Sequence, residues 1–305
     1  GPVECPESLL TVQTPAMSAR AVLVTSRDRD LGSFSVRRIL PGFPTRAVGP
    51  FVFVDHMGPL ALPPGEGVDV RPHPHIGLAT VTWLWEGALM HRDSLGSVRK
   101  ISPGAVNWMT AGRGIVHSER SDPDDRVGGV RLHGMQTWVA LPRGLEETEP
   151  AFVHVEAAAL PTFRHDDADV TVIAGHAFGQ RAPTPVVSDT LYASATFASA
   201  GALALPASHE ERSVYAVDAD LSVDGETVPV HHLGVIEPGR AVTLSARGPA
   251  RAMLIGGARL DGERFLWWNF VASSRERIER AKDDWREGRF APVPGETEFI
   301  PLPER

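Results

Sequence analysis

The sequence predicts an all-β protein with two consecutive β-barrel domains and one C-terminal α-helix. Short apolar runs rich in Val, Thr and aromatic residues recur along the chain, separated by many of its 29 glycines and 26 prolines. These runs fall into two series, and a convincing helix pattern occurs only after residue 272. A length of 305 residues fits two domains.

The first series predicts the strands of an N-terminal domain, which we place at residues 17–145. The runs are SFSVRRIL (33–40), FVFVDH (51–56), LATVTWLW (78–85), AVNWMT (105–110) and HGMQTWVAL (133–141). Several of them alternate between apolar and polar residues, as half-buried strands do. Pro, Gly and acidic residues are frequent over 142–167 and strand signals are few, so we expect the interdomain connection at residues 146–165.

The second series predicts a C-terminal domain at residues 166–262. Its runs are DVTVIAG (169–175), LYASATF (191–197), SVYAVDA (213–219), HHLGVIE (231–237) and RAMLIGG (251–257). Each series has a Gly/Glu turn early, at 86–87 and 225–226, and a Pro-Gly turn late, at 103–104 and 238–239. Two copies of one barrel would explain this weak similarity, and so would chance.

Residues 263–305 are expected to form a helix and a tail. Ser273 and Glu276 have the spacing of a capping box, which satisfies the free N–H groups of a first helical turn. Apolar residues fall mostly three or four apart on one face: Val271, Ile278, Ala281 and Trp285. Gly288 is a suitable stop.

Composition excludes several classes of protein. A net charge of −8 argues against direct nucleic-acid binding, and a single cysteine, Cys5, excludes an internal disulfide framework. No apolar run approaches the roughly 20 residues that span a membrane.

Residues 1–16 look like a vector-derived linker before Met17, and no secretion signal follows. We therefore expect a cytoplasmic protein.

Six of the twelve histidines lie between His56 and His133, and two short motifs stand out among them. His73 and His75 are two apart, as are His117 and Glu119, and residues i and i+2 of a strand point to one face. If the two strands become neighbours, three imidazoles and one carboxylate converge inside a barrel.

Such a donor set suits Fe(II), Mn, Zn, Ni or Cu(II) and argues against Cu(I) or an iron–sulfur cluster. Ligand type alone leaves an open catalytic site and a closed structural zinc site as alternatives. His56, His91 and His133 are expected to be hydrogen-bonded histidines, of which one orients a ligand.

At these residues the sequence resembles the pirin family, bicupin proteins of the cupin superfamily. The matching stretches are HPHIGLATVTWLWEG (73–87), MHRDSLGS (90–97), NWMTAGRGIVHSER (107–120) and HGMQTWVALP (133–142), with a tail (267–290) similar to that of bacterial members. The resemblance implies two cupin barrels packed face to face. It also implies one mononuclear metal, usually iron, on His73, His75, His117 and Glu119. The second barrel would carry no metal.

The resemblance implies two alternative functions. One is a quercetin 2,3-dioxygenase-like enzyme that opens a flavonol ring with O2, with Glu119 as general base and with Gln136, His91 and His56 near the pocket. The other is an iron-dependent, redox-sensing protein that modulates a regulatory or metabolic partner without turnover. One departure affects the substrate: Ala79 stands where typical cupins carry a ligand glutamate, so Glu119 supplies the only carboxylate.

Overall fold

The computed structural model describes residues 10–12 and 21–304, and this part of the chain is mostly β-structure. The expected vector-derived linker lies largely outside the described residues, but Leu10–Val12 pair antiparallel with a later strand, Arg264–Trp267. Strands of the first half are β1 (Leu10–Val12), β2 (Ala21–Thr25), β3 (Arg27–Asp30), β4 (Ser35–Leu40), β5 (Phe51–Leu62), β6 (Asp69–His75), β7 (Leu78–Glu86), β8 (Leu89–Asp93), β9 (Val98–Ile101), β10 (Val106–Thr110), β11 (Ile115–Arg120), β12 (Val130–Ala140) and β13 (Ala151–Val155).

Strands of the second half are β14 (Thr162–His165), β15 (Ala168–Ala177), β16 (Gln180–Arg181), β17 (Thr190–Phe197), β18 (Gly201–Leu205), β19 (Glu211–Ala216), β20 (Leu221–Val223), β21 (Glu226–Val228), β22 (His232–Ile236), β23 (Val242–Ala246), β24 (Ala250–Gly257), β25 (Arg264–Trp267) and β26 (Phe270–Ala272). Two helices, α1 (Pro123–Arg126) and α2 (Arg275–Arg286), and two 3-10 turns, Arg143–Leu145 and Ala157–Ala159, complete the described elements. Each of the ten apolar runs predicted as strands coincides with a strand, so those predictions are confirmed.

Each barrel is built from a larger and a smaller antiparallel sheet. The first combines the order β13-β10-β7-β12-β5-β4-β3 with β6-β11-β8-β9, and the second combines β14-β15-β17-β24-β19-β22-β2 with β18-β23-β20-β21. The predicted all-β fold of two barrels is therefore confirmed. None of the described helices is long and apolar enough to cross a membrane.

Strand pairing crosses the domain limits expected from the sequence. β2 lies before the first barrel in the chain, yet it pairs with β22 of the second barrel. Inside the expected connection, β13 extends the large sheet of the first barrel and β14 that of the second. All three are edge strands of their sheets, and sequence analysis did not predict them.

The two barrels share one hydrophobic core. It joins Val54 and Trp108 of the first barrel to Tyr192 and Leu254 of the second, all of them buried. Phe51 packs against Tyr192 with 5.2 Å between ring centroids. This shared core packs the two barrels face to face. The interior of the first barrel holds the candidate site described below.

The C-terminal helix begins one residue later than the capping box predicts. Ser274 accepts the backbone N–H of Arg277 at 3.2 Å and is the N-cap. Ser273 is unavailable because its hydroxyl donates to Glu146 at 2.6 Å. Ile278 and Ala281 are buried as expected, and Gly288 follows the end of the helix with a φ of 71°.

Candidate metal centre

Two paired strands position the predicted ligands. β11 runs antiparallel to β6 with His117 opposite His73, and the register shifts between His117 and Glu119. His73 and His75 point to one face of β6, and the two motifs lie on neighbouring strands. The ligand nitrogens of His73, His75 and His117 all lie within 4.8 Å of one another.

The backbone fixes the orientation of two imidazoles. His73 Nδ1 lies 2.7 Å from the carbonyl oxygen of Arg71, and His75 Nδ1 lies 3.1 Å from that of Asn269. A carbonyl only accepts, so both Nδ1 atoms carry the proton and both Nε2 atoms keep a free lone pair. Metal-binding histidines in proteins are usually held in this way.

Distances between the donor atoms also fit a shared metal ion. His75 Nε2 lies 3.2 Å from His117 Nε2. Two nitrogens on one ion at bond lengths of about 2.1 Å are separated by roughly 3.0 to 3.4 Å. The three imidazoles therefore fit a divalent transition metal as donors.

Burial keeps these histidines neutral, which is the form that binds a metal. His75 and His117 are each 1% exposed. Burial lowers the pKa of His73 to about 4, although its bond to the Arg71 carbonyl acts in the opposite direction. Burial also lowers the pKa of His75 and of His117 well below 6.5, with neighbouring histidines adding to the effect.

Glu119 belongs to a second group of donors, with His117 and His91. Its Oε1 lies 3.7 Å from His117 Nδ1 and accepts a hydrogen bond from Gln136 Nε2 at 3.1 Å. Burial raises the pKa of Glu119, while nearby His91 and the hydrogen bond from Gln136 act to lower it. The four predicted ligands thus form two overlapping groups that share His117.

His91 is held by a carboxylate that sequence analysis did not single out. Its Nε2 lies 2.6 Å from Asp93 Oδ2, and its ring stacks on Phe152 at 4.1 Å. His91 Nδ1 faces His117 Nδ1 at 3.5 Å. The spacing of His91 and Asp93, two apart on β8, is a signal that could have found this pair.

Aromatic side chains form one wall beside the site. Trp138 presents its ring to His75 at a centroid distance of 5.2 Å and stacks on Phe53 at 3.8 Å. The Arg38 guanidinium lies over Phe53 at 4.5 Å and pairs with Asp55 at 2.8 Å. Alternation along β5 and β12 could have indicated this wall.

The structure places His56 elsewhere, which corrects the expectation that it lies near the pocket. Its Nδ1 lies 2.7 Å from the hydroxyl of Tyr215 in the second barrel, and its Nε2 lies 2.9 Å from His133 Nε2. Successive strand residues point to opposite faces. Asp55 therefore faces the interior of the first barrel, and His56 faces the second barrel.

Comparisons with known proteins agree with this architecture. The Pirin family model matches residues 33–139, and the model of the Pirin C-terminal cupin domain matches residues 192–291. A "Pirin-like protein" of Caulobacter vibrioides is 47% identical over 92% of this chain and 98% of its own length. A Pseudomonas aeruginosa protein named "Putative quercetin 2,3-dioxygenase PA1205" is 40% identical over 87% of this chain and 83% of its own.

A solved structure shows the same fold. The crystal structure of a quercetin 2,3-dioxygenase from Acinetobacter baumannii superposes with a TM-score of 0.86 at 32% sequence identity, covering 93% of this chain and 95% of that one.

Proposed function

This chain belongs to the pirin family, and on that premise we propose that it is an Fe(II)-dependent dioxygenase that opens quercetin-like flavonols with O2. One observation carries the proposal. Three buried, neutral imidazoles meet in the first barrel, two of them with Nε2 left free by backbone hydrogen bonds. Two similar proteins have names that refer to quercetin 2,3-dioxygenase.

We assign His73, His75, His117 and Glu119 as the residues that hold the metal. Three imidazoles and a carboxylate suit Fe(II), and Mn, Ni, Cu and Zn accept the same donors. When bound, the ion would supply Lewis-acid activation of the flavonol hydroxyl and a position for O2. For Glu119 to join the three histidines, its carboxylate must move from the Nδ1 side of His117.

Glu119 is also the proposed general base. The flavonol hydroxyl must lose its proton before the ring reacts with O2, and a carboxylate whose pKa is raised by burial is a stronger base once ionised. Gln136 donates to Glu119 Oε1 and in turn accepts from the Thr82 hydroxyl.

The aromatic wall suits a flat, aromatic substrate. Trp138 stacks on Phe53 with an angle of 12° between their rings and lies next to His75, which puts an aromatic surface beside the site. A flavonol could lie against this surface by offset stacking. We therefore expect the polyphenol rings, rather than a sugar or an aliphatic chain, to contact this wall.

The test is turnover of quercetin by iron-loaded protein under air. Absorbance of the flavonol should fall, carbon monoxide should be released, and His75→Ala should abolish both. His165→Ala, which removes a half-buried histidine of β14, is the matched control and should keep full activity. If iron-loaded protein leaves quercetin unchanged, the flavonol dioxygenase proposal is wrong.

A further inference from the structure

A second cluster of possible metal donors lies at one end of the second barrel. His176 is next to last in β15, Asp189 directly precedes β17, and His209 lies two residues before β19. Their ligand atoms all lie within 4.8 Å of one another. The cluster shares no residue with the site in the first barrel, and its three members come from separate segments.

Strand pairing brings these segments to the same edge of the sheet. Gly257 of β24 is opposite Thr190, the first residue of β17, and opposite Glu211, the first residue of β19. A Cβ atom at position 257 would lie 2.1 Å from the backbone oxygen of Asp189. Glycine therefore allows the segment before β17 to pack closely at this edge.

The hydrogen bonds around His209 bring two acceptor atoms close together. His209 Nε2 lies 2.8 Å from the carbonyl oxygen of His176, so this nitrogen carries a proton. In a neutral ring Nδ1 then has only a lone pair, yet it lies 2.8 Å from Asp189 Oδ2. Two acceptors at that distance need either a proton between them or a metal ion bonded to both, because two ligands that are each about 2.1 Å from one ion lie roughly 3 Å apart.

His176 converges on the same carboxylate from the other side. Its Nε2 lies 2.8 Å from Asp189 Oδ1, and its ring centroid is 4.3 Å from that of His209. With a second proton on His209 the cluster would be an ion pair, in which His176 Nε2–H donates to the other oxygen of Asp189. A metal ion would bind all three donors, and the bond from His209 Nε2 to a carbonyl is the usual support of a ligand histidine.

We propose that His176, Asp189 and His209 form a second metal site, which binds a divalent ion of the Zn2+ type. Two imidazoles and one carboxylate favour Zn2+, Ni2+ or Cu2+ over Mg2+ or Ca2+, which prefer oxygen ligands. The side chains of His176 and Asp189 are 31% and 37% exposed, so an ion can enter from solvent and keep water as a further ligand. The second barrel, expected to lack a metal, would then carry one at the edge of its sheet.

The experiment counts Zn2+ bound per chain by equilibrium dialysis and elemental analysis. Wild-type protein should bind one equivalent more than His176→Ala, and Asp189→Asn should lose the same equivalent. His165→Ala is the matched control and should bind as much as the wild type. The His73→Ala/His75→Ala variant, which lacks the site in the first barrel, should still bind one equivalent of Zn2+. Adding His176→Ala to this variant should remove that equivalent. The result therefore does not depend on whether the first barrel binds a metal.

Nitrogen-15 NMR of the imidazole rings gives a second readout on the folded wild-type protein. Added Zn2+ should shift His209 Nδ1 and His176 Nε2, while His209 Nε2 keeps its proton. Equal Zn2+ content in wild type, His176→Ala and Asp189→Asn would overturn the proposal. So would a His209 ring that keeps both protons at saturating Zn2+, because the cluster would then be an ion pair only.

Discussion

His75 Nδ1 lies 3.1 Å from the backbone oxygen of Asn269, a residue 194 positions further along the chain. The segment around Asn269 connects β25 to β26, so the C-terminal region orients a predicted ligand of the first barrel. Ile76, next to His75, also forms a bridge with Phe270. Packing of this segment should therefore influence metal affinity as well as stability.

Replacing Phe270 with alanine tests this coupling. Phe270 is fully buried between Ile76 and α2, so Phe270→Ala should lower the free energy of unfolding by about 3–5 kcal/mol. It should also loosen the carbonyl of Asn269 and weaken metal binding by about tenfold. The measurements are urea unfolding and a competition titration in a His176→Ala background, which keeps the second cluster out of the titration.

Phe197→Ala is the matched control because Phe197 is equally buried but lies on β17 of the second barrel. It should lose a similar amount of stability and keep the wild-type metal affinity. Equal losses of affinity in the two variants would mean that the effect is general destabilisation and that Asn269 does not position His75.

Glu119→Gln separates proton transfer from metal binding. The amide keeps the size of the side chain but cannot accept the substrate proton, so kcat for quercetin should fall by about 10²- to 10⁴-fold. Iron affinity should fall as well, because an amide oxygen is a weaker ligand than the carboxylate it replaces, so turnover has to be compared per bound iron. The measurement is steady-state turnover normalised to bound iron.

Glu296→Gln is the control for this change. Glu296 contacts Ser118 at 2.8 Å, and Ser118 follows His117 on the opposite face of the same strand. Its variant should keep kcat within a factor of a few. Normal turnover per bound iron in Glu119→Gln would show that Glu119 is not the general base. It would not affect the assignment of the three histidines as metal ligands.

Sequence and structure agree best where the relevant spacing is local. His73 with His75, and His117 with Glu119, are each two residues apart, and strand geometry alone puts each pair on or near one face. The carbonyl of Asn269 could not be predicted, because a backbone oxygen leaves no trace in residue type and lies far away in sequence. The same holds for the pairing of β2 with β22, since a strand pattern does not name its partner.

The cluster of His176, Asp189 and His209 shows the same limit in another way. Its members lie 13 and 20 residues apart, in loops and at a strand end, so no motif marks them. The adjacent pair His231 and His232 is more conspicuous in the sequence. Only the order of strands around β24 brings the three donors together, and that order is a property of the whole barrel.

Asp93→Asn should weaken the site without unfolding the barrel. Asp93 accepts His91 Nε2–H through one oxygen and the backbone N–H groups of Leu95 and Ser97 through the other. The amide oxygen of the variant can still accept the two backbone N–H groups. Its NH2 group would then face His91 Nε2–H, and the repulsion between these two donors should turn the His91 ring away from His117. We expect turnover or metal affinity to fall about 10- to 100-fold.

The matched control is Asp122→Asn, which changes a carboxylate at the start of α1 that pairs with Lys100. Its turnover and metal affinity should equal those of the wild type. Unchanged turnover and metal affinity in Asp93→Asn would show that neither property requires the hydrogen bond between His91 and Asp93.

Because the histidines between the barrels are buried, we expect acid to lower the free energy of unfolding. Burial lowers the pKa of His56 to about 2 and that of His133 to about 4, from 6.5 in the unfolded chain. Below pH 6.5 the unfolded chain therefore binds protons that the folded protein does not, and stability falls until the pH reaches the folded values. At pH 5 each histidine should cost about 2 kcal/mol of unfolding free energy relative to pH 7.5.

His133→Gln tests this prediction because glutamine stays neutral at every pH. Urea unfolding at pH 7.5 and pH 5 should show a loss of stability about 2 kcal/mol smaller in the variant than in the wild type. His165→Gln should keep the wild-type loss, because the ring of His165 packs against Phe163 and Phe178 and lies outside the contact between His56 and His133. If His133→Gln loses as much stability as the wild type between the two pH values, the contact between His56 and His133 is not what makes the barrel interface sensitive to acid.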